Sequence, residues 1–355
     1  MDFADTPEQA QLRDAVRAFA ARHGSPEQVR ATLAGATGCD RKTWERLARE
    51  LGLTALAVPA EFGGADAGVA EVAVAVEELG RVLLPTPYLS TALVGLIVTG
   101  AAGLCHDAAE RYLPGLASGS LIGAVALDAD VAVTGDRVSG TARHVVDGAL
   151  AGLLLVRAGD RLLAVAAADA AIEPLDTLDQ TRRQATVRFD DAPAVAAGPA
   201  EPAVALQRVL LAAESVAAAE HCLSATVGYL KTRRQFGRPI GSFQALQHRC
   251  ADLAVALASA RATARAAVWT AQSDPGGLAA LAPLAALHCS RTFVQVAAEM
   301  IQLHGGIGFT WDHEAHLYFK RAKSTQLLLG PVSALRAKIG QAAGLLPADE
   351  WAASN

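Results

Sequence analysis

The chain has 355 residues, 52% of them hydrophobic and 19% charged, enough for a large buried core and for two or three domains. A formal net charge of -5 with scattered Lys and Arg offers no basic stripe for nucleic acid, and no apolar run reaches the ~18 residues of a membrane span, so neither is expected as a partner. The start, MDFADTPEQAQL, lacks a secretory pattern, and the five cysteines (Cys39, Cys105, Cys222, Cys250 and Cys289) are isolated; both predict a cytoplasmic protein with reduced thiols and no structural metal.

Residues 1–118 read as a helical domain. Thr6 is placed as an N-cap, with Pro7 in the first turn and Gln9 completing a capping box, and Val16, Phe19 and Ala20 continue an apolar stripe. A later helix carries Trp44, Leu47, Ala48 and Leu51 on one face and ends at Gly52. The loop AVPAEFGGADAG follows, then a helix from about Val69 to Gly80, and the run Tyr88 to Leu104 reads as a core helix.

Residues 119–200 change character. LIGAVALD, RVSGTARHVV, GLLLVRAG, RLLAVAAA and ATVRFDDA are short apolar or alternating runs separated by Gly-Asp turns, which predicts a small antiparallel β domain. Residues 201–355 are helical again, with helices expected over Val204–Lys231, Phe243–Gln272, Leu278–Leu303 and Leu327–Leu345. Long helices on short loops suggest an up-down four-helix bundle. The fold class is therefore α+β, mostly α, in the order helix, sheet, helix.

The N-terminal pattern Trp44, Leu51-Gly52-Leu53, Val58-Pro59, Phe62-Gly63-Gly64, Glu77-Glu78-Leu79-Gly80-Arg81 and Pro85-Thr86-Pro87 resembles that of the acyl-CoA dehydrogenase family. Two C-terminal segments, RRQFGRPIGSFQ and IQLHGGIGFT, strengthen the resemblance, which spans nearly the whole chain. It implies that Arg233, Phe236 and Gln244 reach an FAD bound mainly by a neighbouring subunit. A pyrophosphate suits a guanidinium, and an adenine suits an aromatic face beside an amide. It also implies that Gln302, Gly305 and Gly306 form the turn whose backbone amides approach the cofactor. Taken alone, an Arg pair suits any helix C-terminus, a Phe suits a core, and Gly-Gly suits a helix C-cap. His304 reads as a packing histidine; His313 and His316 fall on a variable loop and receive no role.

The family removes an α-proton from an acyl-CoA thioester with a glutamate while hydride passes to the flavin. Here the two glutamate positions that the resemblance marks hold Leu329 and Gln207, so no catalytic residue is assigned. Glu214 and Glu220 lie a turn or more away from Gln207 and read as solvated or capping carboxylates. In the middle domain, Leu127-Asp128-Ala129-Asp130-Val131-Ala132 and His144-Val145-Val146 replace segments that in the family hold the flavin ring and thioester, while Asp179-Gln180-Thr181-Arg182 reads as a structural turn.

This combination resembles the short subunits of actinobacterial α2β2 acyl-CoA dehydrogenases of the steroid side-chain type. The resemblance implies a tetramer in which a homologous partner carries the catalytic Glu and an acyl-CoA substrate is dehydrogenated with FAD. Three other readings stay open: a self-sufficient homotetrameric dehydrogenase with an unorthodox base, a related flavin oxidase or monooxygenase, and a flavin-free scaffold.

Overall fold

The computed structural model describes residues 4–100 and 103–346. They form two compact units, one holding Thr6–Val76 and Leu84–Gln207, the other Glu77–Leu83 and the chain from Arg208 onward.

The first unit opens with α1 (Pro7–His23), α2 (Pro26–Leu33) and α3 (Arg41–Leu51). The capping box is formed: Thr6 Oγ1 accepts the Gln9 N–H at 3.3 Å, and Gln9 Oε1 accepts that of Thr6 at 3.0 Å. Ser25 and Gln28 repeat the device on α2. Trp44 and Leu47 are buried on α3, which ends at Gly52 with φ +63. There follow α4 (Val69–Arg81), α5 (Tyr88–Val98) and α6 (His106–Ser118). The helix expected over Tyr88 to Leu104 stops at Val98, and residues 101–102 of that run lie outside the described residues. Trp44 Nε1 donates to the Gly119 carbonyl, and Thr54 Oγ1 to that of Ala117, both at 2.8 Å, which ties α3 and its exit to the end of α6.

The same unit contains β1 (Gly123–Ala126), β2 (Asp128–Thr134), β3 (Arg137–Val146), β4 (Leu153–Ala158), β5 (Arg161–Ala166), β6 (Ala170–Leu175), β7 (Gln184–Pro193) and β8 (Val195–Pro199). They make two four-stranded sheets, ordered β1-β4-β5-β8 and β2-β3-β7-β6. Ala124, Leu154, Val156 and Val165 from one sheet and Val138, Ala142, Val187 and Phe189 from the other share a core, as in a β-sandwich. The domain is not wholly antiparallel, because β1 pairs with β4 in parallel. The chain leaves β1 to build the β2–β3 hairpin of the other sheet, then returns beside β1 in the same direction. Asp179 makes the expected structural turn, its Oδ1 accepting from Thr181 N at 3.0 Å and Thr181 Oγ1 at 2.5 Å. A register shift in β3 leaves His144 at φ +53, hydrogen-bonded to Asp128 at 3.0 Å.

From α7 (Ala200–Thr232), which starts in the first unit, the chain enters the hairpin of β9 (Arg234–Gln235) and β10 (Arg238–Pro239). It continues through α8 (Gln244–Ser273), α9 (Leu278–His304), α10 (Ala315–Leu328) and α11 (Val332–Ala342). Buried alanines at 260, 264 and 267 of α8 and at 282, 285, 286 and 297 of α9 allow close helix packing. The helix expected over Leu327–Leu345 is instead two. Gly330, at φ +87, and Pro331, which has no N–H to donate, break the segment between α10 and α11. His316 thus lies on a helix, not on the variable loop expected for it.

Candidate cofactor-contacting site

The proposed cofactor residues gather in the second unit around the ends of α7, α8 and α9. Phe236 and Gly237 form the two-residue turn between β9 and β10, with φ +54 and +77. Both central residues of such a turn need positive φ; glycine adopts it freely, whereas a phenylalanine is strained there. Phe236 is 90% exposed, which excludes the core reading, and its only ring contact among the described residues is edge-on to Phe243 at 6.1 Å. Arg238 lies 4.0 Å above the Phe243 ring and stiffens the base of the hairpin. Gln244 opens α8 and is exposed.

Arg233, Gln302, Gly305 and Gly306 line one open depression of about 620 Å³ together with Tyr229, Arg249 and His304. Phe236 and Gln244 are not among the lining residues. The Arg233 guanidinium has no hydrogen-bond or ion-pair partner among the described residues, whereas Arg249 is held by Glu299 at 2.7 Å. Gly305 has φ +62 and ψ −140, a conformation reserved for glycine, and a Cβ added at Gly305 or Gly306 would meet nothing within 4 Å. Exposed backbone, an unpaired guanidinium and a protruding aromatic ring fit a phosphate-bearing aromatic cofactor. Tyr229 and Arg249 carry no motif in the sequence. Tyr229 stands one helical turn before Arg233, a spacing that could have marked it, but Arg249 reaches the depression only through packing.

The positions marked for a catalytic base carry none. Leu329 is buried at the end of α10, and Gln207 is half-buried on α7. The carboxylates beyond Gln207 on the same helix are neither solvated nor capping, contrary to expectation. Glu214 is buried and accepts from Arg321 at 2.8 Å, and Arg321 is 4% exposed. Glu220 is gripped by Arg81 at 2.9 Å and by Arg261, and Arg81 also pairs with the fully buried Glu78 at 3.3 Å. An Ala-rich helix gives no hint of this, because the guanidiniums come from α4, α8 and α10. Burial also silences three of the thiols: it pushes Cys289 up to about 12, and with Asp147 nearby it does the same to Cys39, while Cys222 lies well above its ordinary value. Among the described residues no cluster of His, Cys, Asp or Glu could hold a metal ion.

Residues 6–120 match the family described as acyl-CoA dehydrogenase, N-terminal domain, and residues 200–344 match acyl-CoA dehydrogenase, C-terminal domain. The chain is 42% identical over 332 residues to the acyl-CoA dehydrogenase IpdE2 of Mycobacterium tuberculosis, covering 93% of this chain and 96% of that one. Among solved structures it resembles a chain of the ChsE4-ChsE5 complex from Mycobacterium tuberculosis, with a TM-score of 0.88 and 28% identity over 98% of this chain and 100% of the other. It also resembles a chain of the Tcur3481-Tcur3483 steroid ACAD, with a TM-score of 0.86 and 30% identity over 95% and 98% of the two chains.

Proposed function

This chain belongs to the acyl-CoA dehydrogenase family of oxidoreductases, and we propose that within it the chain is the base-lacking half-site subunit of a heteromeric enzyme. The partner is a homologous subunit that carries the catalytic glutamate, the assembly is an α2β2 tetramer, and the substrate is a steroid or lipid acyl-CoA thioester. The observation that carries this reading is a contrast within the chain. Arg233, Gln302, Gly305 and Gly306 converge on an open depression, while Leu329 and Gln207 stand where the base belongs. The two heteromeric assemblies among the structural relatives support it.

Members of the family use FAD, which when bound accepts hydride from the acyl β-carbon. In this chain Arg233 offers a guanidinium to its pyrophosphate, Phe236 a face to its adenine beside the amide of Gln244, and Gln302 with the Gly305–Gly306 backbone polar contacts to the rest of the dinucleotide. The strain at Phe236 is consistent with an aromatic held outward for a ligand rather than for the core. No group of this chain is assigned the α-proton. Glu214, the carboxylate that a self-sufficient enzyme would call upon, is buried and committed to Arg321.

The test is flavin content. The chain purified alone is expected to be colourless and inactive. Co-expression with a glutamate-bearing homologue should give a yellow tetramer with one FAD for each pair of unlike subunits. Stoichiometric FAD and turnover in the homomer would sink the reading.

A further inference from the structure

The glycines at the mouth of the depression do not hold their own conformation. Gly305 reaches its φ of +62 easily and leaves it as easily, so the turn must be held from its flanks. On one flank His304 is buried, and its Nδ1 donates to the Met300 carbonyl at 2.7 Å. Its ring lies on Tyr229 of α7, with centroids 4.5 Å apart and 27° between the planes. On the other flank the His313 ring packs 4.4 Å from that of His304. His313 Nδ1 also accepts the N–H of Ala315, the first residue of α10, at 3.1 Å. The intervening segment, residues 305–312, is therefore pinned at both ends by two imidazoles in contact with one another.

We propose that His304 and His313 are positioning residues: the Tyr229–His304–His313 stack closes the loop between α9 and α10 and presents the Gly305–Gly306 backbone to the cofactor. The proposal rests on the cofactor reading above and adds to it the part that sets the turn's geometry. It also carries a sign with pH. An imidazole that accepts a backbone N–H at Nδ1 must be neutral there. Protonated His313 would lose that bond, lie against a second histidine, and put a cation at the N-terminal end of a helix dipole. Charged and titratable groups on the neighbouring segments include Tyr229 of α7, Arg233 just past its end, Arg249 with its partner Glu299, and Asp312 and Glu314 beside His313 in sequence; Glu314 is itself bonded to His221 at 2.8 Å. Acid therefore opens the loop, and neutral pH keeps it closed.

The experiment measures the rate of FAD release from the co-expressed complex, by recovery of flavin fluorescence, at pH 7.5 and 5.5. His313→Ala should release FAD roughly tenfold faster at pH 7.5, the size expected for one lost hydrogen bond. His313→Asn, whose Oδ1 can take the Ala315 N–H but cannot charge, should stay near wild type at pH 7.5. It should also lack the acid acceleration that wild type shows across the interval in which imidazoles take up a proton. Arg233→Ala is the control for the cofactor reading. If Arg233→Ala speeds release while His313→Ala does not, the stack is packing alone and the proposal is overturned. An unchanged acid acceleration in His313→Asn overturns it equally, and that comparison stands even if His313→Ala fails to fold. If neither Arg233→Ala nor His313→Ala alters release, the cofactor reading has failed and the proposal falls with it.

Discussion

The inside of the C-terminal bundle and its edge use the same residue types in opposite ways. Inside, Glu214, Glu78 and Glu220 are each met by a guanidinium of the same chain, from Arg321, Arg81 and Arg261, so the charges are spent on holding helices together. At the edge, Arg233 has no such partner among the described residues, Phe236 is turned outward at a strained φ, and two glycines leave backbone uncovered. Self-satisfied polar groups mark structure, whereas polar groups left open beside strained backbone mark a place where something else binds. Of these two regions, among the described residues, the edge has the second character, and so the carboxylates of the interior are poor candidates for a base.

The contrast is open to breaking, most forcefully in the interior. Removing one charge of the buried pair, by Glu214→Gln or Arg321→Met, should destabilise the protein by about 3–5 kcal/mol, because the surviving charge is stranded out of water. Denaturant titration measures this; a loss below about 1 kcal/mol would show that the interior is not built on these pairs. At the edge, Arg233→Ala in the assembled enzyme should weaken FAD binding by roughly tenfold to a hundredfold, the range for a hydrogen bond to a charged group, with little change in unfolding midpoint. Equal effects on both quantities would erase the distinction between edge and interior.

Phe236→Gly sharpens the comparison further, since its two effects should have opposite signs. Relieving a left-handed phenylalanine should make the isolated chain neutral to about 1 kcal/mol more stable, while the assembled enzyme loses FAD affinity. A destabilised variant would mean that the Phe236 ring serves the fold. The smallest effect concerns the thiols. Burial, aided by Asp147 and Asp40, raises Cys39 to about 12, so its reactive thiolate becomes abundant only as the pH approaches that value. Alkylation at pH 8.5, followed by mass spectrometry, should label the exposed Cys105 well before Cys39.

Much of the architecture could be read from the residues in order. The capping boxes of Thr6 with Gln9 and Ser25 with Gln28 depend on groups three positions apart, so the chain declares them locally. The turns at Gly135 and Gly159, with φ +61 and +65, are equally local. The break at Gly330-Pro331 is local too, although the apolar spacing on either side of it suggests one continuous helix. The two segments proposed to contact the cofactor stand out through their motif, but which of their residues share a depression does not. Arg233 and Gln302 meet there because α7 and α9 end on the same side of the bundle.

The helix, sheet, helix order, the caps and turns, and the absence of a glutamate at positions 207 and 329 thus follow from the residues in order, since each rests on a residue's identity or on hydrogen bonds within a few positions of it. What packing adds is that β1 runs parallel to β4, that Glu214 is spent on Arg321, 107 residues away, and that the rings of His304 and His313 meet. Those are pairings between distant segments. A strand or carboxylate reads the same in sequence whichever partner it meets, and the choice is made by which faces the packed helices and sheets bring together.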